Sequence, residues 1–276
     1  MRISVFGADG YLGTSIYHLL KQEESNKVSG TCFREPRETE GMEHVDINQP
    51  EAFSLFYKKH QPDIVIWALM DMENEELLVA QGLTHVITHL TTQTKFIYLS
   101  SHDIFSEGEG PYNEDDHPKK LPEDNPKAAY TNAKIKAERI IQKQLNDYII
   151  LRTGPLYGKN RAGELDKRSL LLEESLAKGE PIEKSDDLIR TFTHIDDITT
   201  AIAELTKANL TGIFHAGPQQ HVSYQSFYRK RAMELGYDPG MVKAQPEKAL
   251  PSDIPMDTSL DSTQLSGLIN TTFRSL

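Results

Sequence analysis

Gly7-Ala8-Asp9-Gly10-Tyr11-Leu12-Gly13 is a G-x-x-G-x-x-G run. It stands directly between a strand-like segment, Ile3-Ser4-Val5-Phe6, and a helical pattern from Tyr11 to Gln22. In that context each glycine has a job. Gly7 permits the tight turn out of the strand, Gly10 lets a pyrophosphate approach the backbone, and Gly13 lets the helix pack closely on the sheet. The start of the helix, at Tyr11 and Leu12, then offers free N–H groups and a partial positive charge to phosphates. The run therefore predicts a dinucleotide site.

Outward from it, Val28 to Phe33, Asp63 to Ala68, Lys95 to Ser100 and Tyr148 to Arg152 are rich in β-branched and aromatic residues. Helical patterns lie between them at Pro50 to His60, Asn74 to Thr91 and Tyr130 to Asn146. Strands alternating with helices imply βαβ units and a parallel sheet with right-handed crossovers. The expected fold is α/β, a Rossmann-type doubly wound parallel sheet with a smaller mixed C-terminal substrate domain. Ligands in such sheets bind beyond the carboxyl ends of the strands. Residues 1–155 are read as the cofactor-binding domain and 156–276 as mainly substrate-binding, with 188–217 returning to the first domain. Ser106 to Lys127 carries four prolines and the acid run Glu114-Asp115-Asp116, and reads as a long loop with a solvated acidic face.

The chain has 276 residues, 30 Lys+Arg against 41 Asp+Glu and a formal charge of −11. With no basic stripe, nucleic acid and anionic membranes are disfavoured as partners. The single cysteine, Cys32, excludes an internal disulfide and fits a reducing compartment. Ile64 to Met70 is too short an apolar stretch to span a bilayer, and no signal peptide is visible. A cytoplasmic protein is expected, with a homodimer the assembly to test.

The second strand ends Thr31-Cys32-Phe33-Arg34, with Arg37 close behind. Arginines there suit a 2′-phosphate and favour NADP, while Glu35 could reach a ribose and keeps NAD as the alternative. Asp46 is a candidate for the adenine side, and Ala68 closes the fourth strand against the cofactor. On the helix opened by Tyr130-Thr131-Asn132-Ala133-Lys134, Tyr130 and Lys134 share an arc of about 60° with Ile141 and Leu145. Lys134 thus faces the sheet, where an unpaired ammonium is costly, and a cofactor ribose would supply its partners. Its charge would depress the neighbouring phenol towards neutrality, making Tyr130 a proton donor to a ketone. Ser100-Ser101 closes the fifth strand, where a hydroxyl can hold a substrate carbonyl.

Further motifs are Ile104-Phe105, Gly110-Pro111-Tyr112-Asn113-Glu114, Glu138, Leu151-Arg152-Thr153 with Tyr157-Gly158, and Thr193 to Ile198. Ile213-Phe214-His215, Gly217, Val222-Ser223, Phe227 and Asp257-Thr258-Ser259-Leu260-Asp261 follow. With these the chain resembles the short-chain dehydrogenase/reductase superfamily in its extended nucleotide-sugar branch, above all the dTDP-4-dehydrorhamnose reductases. The resemblance implies Ser101, Tyr130 and Lys134 as the catalytic set, with Ser101 and His102 on the substrate and Lys134 on the nicotinamide ribose. It also implies NADPH-dependent reduction of a 4-keto nucleotide sugar in polysaccharide biosynthesis. Arg190 sits where related epimerases carry an arginine for the diphosphate.

The sequence also departs from the family. His102-Asp103 replaces the usual Asp-Tyr, Trp67 to Met72 is bulkier than usual, and the asparagine expected near Gln81-Gly82 has no counterpart. Two alternatives follow: an NAD(P)-dependent epimerase or dehydratase, and a non-catalytic NADP-binding subunit like the regulatory subunits of methionine adenosyltransferase. His85 with His89, and His194 with Asp196 and Asp197, are read without a metal: the first pair as solvated or packing, the second group as a capped helix start. Tyr224, Phe227 and Tyr228 are read as core.

Overall fold

The computed structural model describes residues 1–33, 41–245 and 254–276. Strands β1 (Arg2–Phe6), β2 (Lys27–Cys32), β3 (Met42–His44), β4 (Ile64–Trp67), β5 (Lys95–Ser101) and β6 (Tyr148–Thr153) belong to one sheet. A seventh strand, β11 (Gly212–Ala216), pairs with β6 after a long excursion. The order is β11-β6-β5-β4-β1-β2-β3, and every pairing is parallel. The chain reverses direction across the sheet between β1 and β4, which is the switch point where ligands of such folds bind.

A parallel sheet covered on both faces needs apolar residues on both, and the strands supply them. Ile3, Val5, Ile64, Ile66, Ile97, Leu99, Ile149 and Leu151 face one layer, formed by α1 (Tyr11–Lys21) and α7 (Ile195–Leu205). Phe6, Val65, Trp67, Phe96, Tyr98 and Ile150 face the other. That layer contains α2 (Pro50–His60) and α5 (Ala128–Gln144).

The helix expected over Asn74 to Thr91 is interrupted. It runs as α3 (Glu75–Leu77), a π-helical segment at Leu78–Leu83 and α4 (Thr84–His89). One additional residue per turn rotates the helix locally, which an apolar spacing of three and four does not reveal.

The long loop after β5 begins with a 3-10 turn, His102–Ile104, and docks on the C-terminal segment. Gly110 N donates to Asp257 O at 3.1 Å, Tyr112 N to Ser259 O at 2.8 Å, and Asp261 N to Tyr112 O at 2.7 Å. Its acid run is not wholly solvated, because Glu114 Oε1 accepts the backbone N–H of His215 at 2.9 Å.

Beyond β6 lie β7 (Leu156–Tyr157), α6 (Lys167–Ala177), β8 (Ile182–Ser185), β9 (Ile189–Arg190) and β10 (Thr193–His194). After β11 come β12 (Val222–Ser223), α8 (Tyr224–Glu234), β13 (Val242–Gln245) and α9 (Thr263–Ser266). Phe192 and Phe227 stack at 3.8 Å in a separate core with Tyr157, Leu172, Leu176 and Tyr228. Tyr224 packs on its edge, so the three aromatics of α8 are core residues.

The start of α7 differs from expectation. The cap is His194, whose Nδ1 accepts from Asp196 N at 3.2 Å, while Asp197 holds the Arg274 guanidinium at 2.6 Å. His89 hydrogen-bonds Ser54 Oγ at 2.8 Å and the His85 carbonyl at 2.8 Å. Among the described residues no helix is long and apolar enough to cross a membrane.

Candidate active site

All seven strands of the large sheet are parallel, so their carboxyl ends lie along one edge. At β1, Gly7 adopts φ +82°, a left-handed conformation open to glycine at little cost. A Cβ on Gly13 would lie 1.9 Å from the Gly7 carbonyl oxygen, so helix and loop meet backbone to backbone. Gly10 is the N-cap of α1 and brings no side-chain cap to its N–H groups. A cradle that a Cβ would fill and an uncapped eleven-residue helix fit the pyrophosphate of a dinucleotide. Tyr11 anchors the cradle: its phenol donates to Gly158 O at 2.8 Å, and its carbonyl accepts from Asn160 Nδ2 at 3.3 Å. Burial raises that phenol's pKa, so it stays protonated. Tyr11 also walls a cleft of about 650 Å³ shared with Lys159, Glu164, Lys167 and Leu170. Leu12 packs partly buried on the core beneath.

At the end of β2, Cys32 is buried and Phe33 is exposed. Arg34 and Arg37 lie outside the described residues. Asp46, half-buried, accepts the backbone N–H of Asn48 at 3.0 Å and so shapes the turn after β3. Ala68 N donates to Phe6 O at 3.0 Å, which places Ala68 beside the glycine loop.

Ser101, at the end of β5, caps the 3-10 turn by accepting Asp103 N at 3.1 Å. Across from it on α5, Tyr130 is buried with its phenol directed at Met70 Sδ, 3.8 Å away. Lys134, one helical turn on, places Nζ 5.7 Å from the Tyr130 ring centre and 4.9 Å from that of Tyr98. The sheet-facing lysine already has protein partners. Nζ lies 2.8 Å from Glu75 Oε1 and donates to Leu99 O at 3.3 Å. The side chains of Lys134 and Glu75 are 2% and 0% exposed. The cofactor is therefore not needed to explain the burial of Lys134.

Sequence reading missed Glu75, which looks like one more solvated acid in Glu73-Asn74-Glu75-Glu76. The available signal was its place at the head of a buried stripe, Leu78, Val79, Leu83 and Val86. A second expectation changes sign. Burial raises the Tyr130 phenol above its ordinary value; Lys134 opposes this, but Asp103 and Glu75 add to it.

His102 turns into the protein, its Nδ1 2.7 Å from Thr258 Oγ1. Burial pulls its pKa down to about 4, so the ring is neutral at pH 7. Burial opposes ionisation of Asp103, yet His102 and Lys127, whose Nζ is 3.2 Å away, hold it down at about 2. Arg190 is buried, and its guanidinium donates to the carbonyls of Ile189, Met256 and Pro255 at 2.6, 2.9 and 2.9 Å. Those bonds fasten the C-terminal segment, while the buried Nε makes no hydrogen bond. The structure thus brings Ser101, Tyr130 and Lys134 together at the carboxyl edge of the sheet, on which the glycine cradle also lies, and turns His102 away into the protein.

The family model of the RmlD substrate binding domain matches residues 1–275. Among curated relatives, the probable low-salt glycan biosynthesis reductase Agl14 of Haloferax volcanii is 24% identical, with 95% of this chain and 90% of that protein covered. A probable dTDP-4,6-dihydroxy-2-methyloxan-3-one 4-ketoreductase of Streptomyces antibioticus is 26% identical (88% and 80% covered). The methionine adenosyltransferase 2 subunit beta of Bos taurus is 23% identical (81% and 69% covered).

Two solved structures have the same fold at a TM-score of 0.81. One is a hypothetical dTDP-4-dehydrorhamnose reductase from Sulfolobus tokodaii, 22% identical, covering 100% of this chain and 97% of that one. The other is the Bacillus anthracis dTDP-4-dehydrorhamnose reductase in complex with NADP, 19% identical (99% and 95% covered). With a glycine cradle, a Ser/Tyr/Lys set and a family match that runs almost end to end, this chain belongs to the RmlD substrate-binding domain family.

Proposed function

We propose that this protein is an NADPH-dependent reductase of a 4-keto nucleotide sugar. One observation carries the reading. The Tyr130 phenol is buried beside Ser101 and Lys134 at the carboxyl edge of the sheet, where it shares a hydrogen bond with Ser101 and turns its proton towards a thioether, a weak acceptor. A ketone oxygen placed there is a far better acceptor. Ser101 would orient that oxygen, Tyr130 would give it a proton, and Lys134 would stabilise the phenolate left behind. Bound NADPH would supply the hydride; the glycine cradle and the start of α1 would hold its pyrophosphate, and Lys134 would exchange one of its protein partners for the ribose. Arg34 and Arg37 are the proposed partners of its 2′-phosphate.

Ser101 would line the sugar site with His102 packed behind it, and Arg190, whose Nε has no hydrogen-bond partner, is the candidate for the diphosphate. We read 1–155, completed by 188–217, as the cofactor domain and the rest of 156–276 as the substrate region, in a cytoplasmic enzyme. A dehydratase needs a further free acid and base next to Tyr130 to eliminate water. Here His102 is engaged by Thr258 and Asp103 by Lys127, which favours the reductase.

The test is NADPH oxidation against a panel of 4-keto nucleotide sugars. Wild type should oxidise NADPH with at least one of them, and Tyr130→Phe should lose about 10²- to 10⁴-fold in turnover while binding NADPH normally. Tight NADPH binding with no turnover on any keto sugar would favour a regulatory subunit instead.

A further inference from the structure

The pairing of Glu75 with Lys134 goes beyond the assignment of Ser101, Tyr130 and Lys134. Two opposite charges 2.8 Å apart, both nearly inaccessible, form an ion pair that solvent does not screen. Lys134 Nζ donates to the Leu99 carbonyl, pairs ionically with Glu75 Oε1 and also interacts with the Tyr98 hydroxyl, so its charge is met wholly by protein groups. The other oxygen of Glu75 accepts the backbone N–H of Asp71 at 2.8 Å. Asp71 directly follows Met70, the residue that meets the Tyr130 phenol. One carboxylate thus ties the lysine on α5 to the loop after β4 that covers the tyrosine. We propose that Glu75 is a positioning residue of this site: it is the buried counter-ion that seats Lys134 and keeps Lys134 and Tyr130 both protonated. The proposal rests on the catalytic reading of Tyr130 and Lys134.

The groups facing this pair fix the sign of the effect. Tyr98 comes from β5, Asp103 and His102 from the turn after it, Tyr130 from α5, Lys127 from just before α5, and Glu75 from α3. Of the two carboxylates, Asp103 is balanced by Lys127, whereas Glu75 is balanced by Lys134. The charge of Glu75 favours the proton on both Lys134 and Tyr130. Removing it makes the first proton easier to lose from the Tyr130/Lys134 pair, whichever group gives it up. Reduction needs both protons, so activity should fail at lower pH.

The direct readout is a ¹³C NMR titration of the cofactor-free protein labelled at Tyr Cζ and Lys Cε. Tyr130→Phe and Lys134→Met assign the two resonances. In Glu75→Gln the first of the two groups to titrate should do so at least about one pH unit below wild type. The alkaline limb of NADPH turnover should move in the same direction. Glu75→Asp keeps the charge but draws it back by one methylene, so it should move the same midpoint by a smaller amount. It provides the test if Glu75→Gln does not fold. Unmoved midpoints in a folded variant, with only a lower melting temperature, would make Glu75 merely structural and overturn the proposal. A wild type that oxidises no NADPH would remove the reductase reading and leave the titration to decide the role of Glu75.

Discussion

Lys134 was legible as a buried residue because the helical period sets it among apolar neighbours, while Lys136, Arg139 and Lys143 fall outside that arc and are exposed. Its partner was not legible. Glu75 lies 59 positions earlier, and no local pattern encodes a pairing over that distance. The same holds for Arg190, whose arginine type suggested an anion although the fold gives it three carbonyls. Truncation at Lys134 therefore has two effects. Lys134→Ala strands the Glu75 carboxylate in the core and should cost about 3–5 kcal/mol in urea unfolding at pH 7. Adding Glu75→Gln should return part of that, because a neutral amide leaves no buried charge. A loss below about 1 kcal/mol for the single variant would mean that the pair is not a closed one.

Elements were read well where their periods are strong. The sheet strands from Ile3, Val28, Asp63, Lys95 and Tyr148 were expected within a residue or two of where they run, because buried parallel strands are nearly continuous apolar segments. The π-helical turn at Leu78–Leu83 was hidden, since one inserted residue barely disturbs the apolar spacing. The two-residue strands β7, β9, β10 and β12 were also hidden, being too short to show a period.

At the first loop, sequence and geometry agree on Gly13, and this gives a test of the cradle. Gly13→Ala forces a Cβ to within 1.9 Å of the Gly7 oxygen unless the backbone shifts. NADPH affinity measured by fluorescence titration should fall at least about tenfold, since the N–H groups of a displaced α1 lose their aim. A change within twofold would show that the cradle does not hold the pyrophosphate.

Across the whole molecule, the C-terminal segment acts as a strap held by two buried histidines. His102 meets Thr258, and His215 Nδ1 meets the carbonyls of Tyr112 and Asp261 at 3.0 and 3.2 Å. Burial lowers both rings to about 4 from an ordinary 6.5, with Arg152 adding to the effect at His215. A base whose pKa is lower folded than unfolded binds more protons when unfolded, so stability is full above about pH 6.5 and declines towards pH 4. Each histidine should contribute about 1.4 kcal/mol per pH unit over that range. Urea midpoints at pH 7 and pH 5 should differ accordingly, and His102→Gln/His215→Gln should flatten the difference. An equal pH dependence in that variant would place the acid sensitivity elsewhere.

The central claim joins the cradle, the edge of the sheet and the strap into one reductase, and it concerns a single proton. Single-turnover oxidation of bound NADPH by a 4-keto nucleotide sugar, with Tyr130→Phe beside wild type at equal cofactor occupancy, tests it most directly. Oxidation should be rapid in wild type and about 10²- to 10⁴-fold slower in the variant; equal rates in the two proteins would rule out Tyr130 as the proton donor.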